Sequence, residues 1–197
     1  MTSISLRKWH TDRAVKLDRL MQTHVIVAGS GSGRRWAAEE LNHAIVLRLA
    51  SEFQGFCREL HTEAVDFVAD VLSRGDHGLK VMVRFPYEHG RRLDRGNADP
   101  SALGSDFGLL GMRIWDALRS TYPAKGELWR RKLELLNAAR NGIAHDDQTK
   151  LGVVRAAGWP LTLASARSWR AGLDGLVVGM DHVVKRHVQD TLKVSPW

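Results

Sequence analysis

The stretch Asn137-Ala-Ala-Arg140-Asn141-Gly-Ile-Ala-His145-Asp146-Asp147 gathers three side-chain types that suit a phosphodiester. A guanidinium offers a fork of N–H donors that matches phosphate oxygens. An imidazole moves a proton near neutral pH. A carboxamide can orient that imidazole or donate to the phosphate itself. The chemistry such a set would perform is cleavage or binding of a phosphate ester.

Spacing decides whether these groups can meet. Asn137, Asn141 and His145 are separated by steps of four, so on a helix they lie along one face. Arg140 precedes His145 by five positions, about 140° around an ideal helix. The two converge only through the long arginine arm, a bend, or a second copy of the chain. Gly142 lies between them and makes a bend easier. Arg140 also continues the apolar line Trp129, Leu133, Leu136, Ile143, so its guanidinium needs a polar partner or a path to water. A plainer alternative is open: arginine and histidine at a helix C-terminus complement the helix dipole without any chemistry.

Apolar residues at helical spacing outline the elements that would carry this segment. Residues 3–27 read as a helix, with Leu6, Trp9, Leu17, Leu20, Met21 and His24 near one face. Gly29-Ser-Gly-Ser-Gly33 follows and reads as a flexible joint, because no strand precedes it and no Gly-Lys-Ser/Thr follows. From Trp36 to Leu72 a Pro-free pattern, interrupted only by Gly55, would make a helix about 55 Å long at 1.5 Å per residue. Residues 74–104 are turn-rich and predict a long irregular connection, with Val81–Phe85 short enough for a single strand.

Beyond it, Ser105 or Asp106 can cap a helix ending at Tyr122-Pro123. A further helix from about Lys125 carries the Arg140–His145 segment. A loop containing Gly152, Gly158 and Trp159-Pro160 follows it. The last helix presents Trp169, Leu173, Leu176, Val177, Met180, Val184, Val188 and Leu192 near one stripe. Along it Gly172, Gly175 and Gly179 could admit another backbone closely.

Composition narrows the class. Hydrophobic residues at 44% and charged residues at 26% of 197 are ordinary for a folded domain of this length. The single cysteine, Cys57, rules out an intrachain disulfide or a thiolate zinc cluster and reads as a small buried apolar residue. No histidine pair has metal-ligand spacing: His182 and His187 are five apart, and no His-Glu-x-x-His occurs. No metal or cofactor is therefore assigned. No stretch approaches a membrane span, and the N-terminus lacks a signal peptide's apolar core, so a cytoplasmic address is expected. Lys plus Arg number 29 against 22 Asp plus Glu, a net charge of +7 that favours a polyanionic partner. The main basic clusters are Arg34-Arg35, Arg91-Arg92 and Arg130-Arg131-Lys132.

Arg140-Asn141-Gly142-Ile143-Ala144-His145 resembles the signature of the HEPN superfamily, in which an arginine, often followed by a polar residue, precedes a histidine by four to six intervening positions. Leu47-Arg-Leu-Ala-Ser-Glu52-Phe-Gln-Gly-Phe-Cys-Arg-Glu59-Leu is similar to the first core helix of such domains, where an acidic residue often accompanies the motif; Glu52 is the better candidate. A solvated helix-face carboxylate is the other reading of Glu52. The resemblance spans roughly residues 36–192, and its specific part is the six-residue motif.

The resemblance implies an all-α fold: an antiparallel helical bundle of HEPN type over residues 34–197, with residues 1–33 as an N-terminal helical extension and Gly/Ser joint. It further implies a homodimer whose motif helices face each other, so that two copies of Arg140 and His145 line one cleft. Similar proteins cleave RNA without a metal ion, and many act as toxins with a cognate antitoxin or as antiviral defence effectors. On this reading Arg140 stabilises charge on the phosphate, His145 assists proton transfer, and Asn141 holds the geometry, with Glu52 as acidic complement. Relatives that have lost activity imply the alternative of a catalytically inactive HEPN-like module binding RNA or protein.

Overall fold

The computed structural model describes residues 1–29 and 35–197, so the Gly/Ser joint expected through Gly33 lies almost wholly outside the described residues. Every regular element among them is helical: α1 (Ile4–Lys8), a π-helical turn (Trp9–Arg13), α2 (Ala14–Ala28), α3 (Arg35–Ser73), α4 (His77–Glu88), a 3₁₀ turn (Arg92–Asp94), α5 (Pro100–Leu109), α6 (Ile114–Thr121), α7 (Gly126–Ala144), α8 (Gln148–Ala156) and α9 (Leu163–Leu192). The fold is an all-α bundle. None of the described helices is long and apolar enough to cross a membrane.

The 39-residue α3 is the axis of the bundle. Its buried residues Ile45, Leu49, Phe53, Phe56, Leu60 and Ala64 recur at steps of three and four, as a helix packed on several sides requires. Helices α2, α4, α7 and α9 lie against it. Ion pairs set two of these alignments. Arg13 bridges Glu52 and Glu59 from α2's side, and Lys80 and Arg84 of α4 reach back to Asp70 and Asp66, so α2 and α4 both run antiparallel to α3.

The N-terminal segment, expected as an extension, packs into this same core. Leu6, Trp9, Leu17 and Met21 are buried with the residues of α3 and α9. Polar contacts pin it: Glu63 accepts from the Ile4 and Ser5 amides at 2.7 and 3.0 Å, Asp181 from the Ser3 amide, and Asp174 from Trp9 Nε1 at 2.8 Å. Ser3 caps α1 through the Leu6 amide.

Residues 74–104 depart from the expectation of an irregular connection. Arg74 and Gly75 take φ values of 50° and 90°, which turns the chain tightly enough for α4 to return along α3. Asp76 caps α4 through the Leu79 amide at 2.8 Å, and Val81–Phe85 is helical rather than a strand. Neither Ser105 nor Asp106 caps a helix. Asp99 does so for α5, with Pro100 at the first helical position. Asp106 is instead buried within α5, its carboxylate accepting from the Arg92 and Leu93 amides at 2.9 and 2.8 Å. The expected helix to Tyr122 is split into α5 and α6 at Gly111, where φ is +73°. The loop expected after His145 contains α8, capped by Asp147 through the Lys150 amide.

The glycine stripe of α9 receives side chains, not a backbone. A Cβ on Gly175 would lie 2.9 Å from Trp129 Cζ2, and one on Gly172 would lie 3.0 Å from the Lys132 stem. Trp129 and Lys132 thus lock α7 antiparallel against α9. Gly175→Ala should lower unfolding free energy by about 1–2 kcal/mol, because the buried ring must move. Gly152→Ala in α8, with nothing within 4 Å, should raise it by about 0.5–1 kcal/mol through helix propensity. Denaturant titration of the two variants distinguishes a packed stripe from an incidental one.

His61 supplies a pH dependence. It is fully buried, Nε2 donates to the Asp106 carbonyl at 3.0 Å, and Arg91 Nη1 faces Nδ1 at 3.5 Å, which leaves the ring neutral. Burial first, and then the Arg91 charge, hold its pKa below the ordinary 6.5. The unfolded chain therefore binds a proton that the folded chain refuses. Stability is complete above pH 6.5 and falls on acidification below it, by up to about 1.4 kcal/mol per pH unit until the folded pKa is reached. Denaturation midpoints measured between pH 7.5 and 5 should show this slope, and His61→Phe should flatten it.

Candidate functional site

Helix α7 carries the Arg140–His145 segment because its other face is apolar: Trp129, Leu133, Leu136 and Ala139 are buried against the core. Gly142 is helical and does not bend the chain. A Cβ there would stand 2.5 Å from Leu151 Cδ2, so the glycine makes room for α8 to fold back. The turn that allows this holds Asp146 at φ 48°, and the Asp147 amide returns to the Gly142 carbonyl at 2.8 Å.

Arg140 is half-buried beside α3. It lines a pocket of about 260 Å³ with Leu47, Ala50, Ser51, Gln54, Asn97 and Asn137. Its Nη1 donates to Asn141 Oδ1 at 3.1 Å, and Asn97 Nδ2 donates to that same oxygen at 2.7 Å. Asn141 therefore orients the guanidinium rather than an imidazole. Among the described residues no carboxylate pairs with Arg140. The contrast with other arginines is sharp: Arg91 grips Asp94 with two nitrogens, Arg13 holds Glu52 and Glu59, and Arg170 pairs with Asp174.

His145 forms the C-cap of α7 and is exposed, its amide bonded to the Asn141 carbonyl at 3.1 Å. Among the described residues its ring has no hydrogen-bond partner, and nothing links it to Arg140 within one chain. The five-residue offset thus leaves one group in the α3–α7 cleft and the other at the surface.

Glu52 belongs to a different face of α3. It is buried, with Oε2 on Arg13 at 2.6 Å and Oε1 on Arg48 at 2.5 Å. Gly55 leaves the space: a Cβ there would lie 2.5 Å from Arg13 Nη1. The carboxylate is neither solvated nor joined to Arg140.

The basic clusters are partly structural as well. Arg91 is buried among Asp94, Thr62 and the Arg58 carbonyl, and Lys132 packs along Gly172 with its ammonium near Trp159 and Ser168. Cys57 is buried, and burial raises its thiol pKa well above the ordinary value. Among the described residues no group of three or more His, Cys, Asp or Glu side chains is placed to hold a metal ion.

Asn97 and Gln54 escaped the sequence reading. Asn97 sits in the turn-rich Gly96-Asn-Ala-Asp-Pro100 stretch, whose composition signals a turn but not what the turn touches. Gln54 lies one position beyond Phe53 on a helix read for its apolar stripe. Asn137 was legible as a member of the Asn141 line.

Glu52→Ala should cost about 3 kcal/mol of stability by leaving Arg13 and Arg48 without their carboxylate. At a temperature well below its unfolding midpoint the variant should keep the phosphate affinity of the wild type. A lost affinity in a folded variant would return Glu52 to the site.

Compared with known proteins, the chain matches no family model, no curated protein and no solved structure.

Proposed function

We propose that the chain is a metal-independent endoribonuclease of HEPN type that works in the cytoplasm as a homodimer. The observation that carries this reading is Arg140: a half-buried guanidinium, fixed by Asn141 and Asn97, with no carboxylate to neutralise it among the described residues. A cation held in a cleft without a counter-ion keeps its N–H fork for an anion from outside. The net charge of +7 favours a polyanion as that anion.

In the proposed dimer two α7 helices face each other, so that exposed His145 groups and Arg140 line one groove. The ribose 2′-oxygen attacks the adjacent phosphorus, and the bond from phosphorus to the 5′-oxygen breaks. The products are a cyclic 2′,3′-phosphate and a 5′-hydroxyl. Arg140 stabilises the charge that builds on the non-bridging oxygens. His145 takes the 2′-hydroxyl proton or returns one to the leaving oxygen. A toxin or antiviral effector role, with a cognate antitoxin as partner, is the biological setting this activity fits.

One observation favours a second reading. Glu52, the acidic complement expected with an active motif, is consumed by Arg13 and Arg48. A catalytically inactive HEPN-like module that binds RNA would need the anion site without that complement.

Mixed RNA incubated with the chain in chelator decides between them. The expected result is cleavage to cyclic phosphate ends, reduced about 10²–10³-fold by Arg140→Ala and about 10²–10⁴-fold by His145→Ala. RNA retained but uncut, with binding lost in Arg140→Ala, selects the inactive module. Equal cleavage by all three proteins overturns both.

A further inference from the structure

The pocket beside Arg140 is lined by carboxamides whose orientation the protein itself fixes. Asn137 is only 6% exposed, and its Nδ2 donates to the Ala98 carbonyl at 3.2 Å and the Leu133 carbonyl at 2.9 Å. Gln54 Nε2 donates to the Leu93 and Gly96 carbonyls at 2.8 and 2.6 Å. Carbonyl oxygens only accept, so neither amide can be flipped. Both NH₂ groups are spent on the backbone, and Asn137 Oδ1 and Gln54 Oε1 have no partner among the described residues. Asn97 likewise spends an N–H on Asn141 and leaves its oxygen unpartnered. The three residues that carry these acceptors line one cavity together with Ser51, Leu47 and Ala50. A second cavity, of about 420 Å³, adjoins Asn137 and Asn141 on the side of Asp99, Arg130 and Glu134.

A small planar ligand with donors on its edge and an anionic group at one end fits this arrangement. The 260 Å³ pocket holds about eight waters at ~30 Å³ each, the space of one heterocycle rather than a drug-sized molecule. We infer that this pocket is a nucleobase subsite, selecting a base with an amine at pyrimidine C4 or purine C6, cytosine or adenine, where uracil, hypoxanthine and guanine carry an oxygen, on the nucleotide whose phosphate meets Arg140. The inference depends on reading Arg140 as a phosphate site. Cytosine presents N4–H₂ where uracil presents an oxygen, and adenine presents N6–H₂ where hypoxanthine presents one. An oxygen facing fixed amide oxygens meets lone pairs and leaves buried acceptors unpaired, which is how a polar site rejects an isostere.

The test is equilibrium binding of the four 3′-monophosphates of cytidine, uridine, adenosine and inosine to the full chain, with inorganic phosphate as the anion alone. The wild type should bind the cytidine and adenosine nucleotides about tenfold more tightly than their uridine and inosine counterparts. Asn137→Leu should erase the difference. Ser51→Leu, at an exposed position of α3, should also erase it by filling the pocket mouth without touching the Arg140–Asn141 bond. Arg140→Ala should weaken all four nucleotides and phosphate alike.

Equal binding of the four by the wild type, still dependent on Arg140, overturns the subsite and leaves the anion site standing. A preference that survives in both filled variants overturns it too, by placing the discrimination elsewhere. No binding of phosphate or any nucleotide overturns the subsite together with the proposed function. A base preference in a chain that cleaves no RNA sustains the subsite and overturns only the ribonuclease.

Discussion

Arg140 is held by a neutral oxygen. Two donors converge on Asn141 Oδ1, the Arg140 guanidinium and the Asn97 amide, and this bridge orients a positive charge without cancelling it. A carboxylate in the same place would anchor the arginine more strongly and leave it useless for an external anion, as Arg13 and Arg91 illustrate. The cost is that a half-buried cation stays uncompensated, which the fold tolerates only where a pocket gives the guanidinium a path to water.

The bridge reaches well into the fold. Asn97 can meet Asn141 only if the chain between the 3₁₀ turn and α5 is fixed, and three polar contacts fix it. Gln54 of α3 ties the carbonyls of Leu93 and Gly96, and Asn137 of α7 ties that of Ala98. Buried Asp106 accepts the two amides that open the 3₁₀ turn, and His61 donates to the Asp106 carbonyl. A line of hydrogen bonds therefore runs from α5 through the turn to the α3–α7 cleft. Each member is a side chain paired with backbone groups, and the bonds at the Leu93 amide and at the Asp106 and Ala98 carbonyls are buried. Position in the cleft is thus a property of the loop's packing and not of α7 alone.

This explains what could be read from the sequence. Helices α3, α7 and α9 were legible because their apolar residues recur at steps of three and four over many turns, a signal that survives single exceptions such as Gly55. The motif on α7 was legible for the same reason, since helical spacing places Asn137 and Asn141 together. The 74–104 region was not. Its Gly and Pro residues mark turns, but α4 is held by charged pairs to α3 and buries no residue of its own, so it carries no core stripe to read. Ser105 or Asp106 before an apolar run reads locally as a cap, and Asp106 is none. Its actual partners lie on a turn 13 and 14 positions earlier, which no local pattern encodes. Gly142 suggests a bend and Gly175 a close backbone approach, yet each is a seat for a side chain from another helix, Leu151 and Trp129. Glu52 is expected as an acidic complement or as a solvated carboxylate, and its pairing with Arg13 and Arg48 depends on the N-terminal segment folding onto α3, which α3's own pattern does not encode.

The two halves of the motif have different mechanical supports, and that difference bears on how a dimer would complete the site. Arg140 is set in the interior cleft by three elements, while His145 is set by the α7–α8 turn, where Leu151 presses on Gly142 and the Asp147 amide closes on the Gly142 carbonyl. The turn fixes the backbone of His145 and leaves its ring in water. Within one chain the recessed Arg140 guanidinium is bonded to Asn141, while the His145 imidazole faces solvent at the tip of α7 with no bond to it. In the proposed assembly a second α7 would supply the missing wall of the groove. Burying the imidazoles between two such ends would also draw them together with the net positive surface, so the RNA phosphates themselves would contribute to holding the pair.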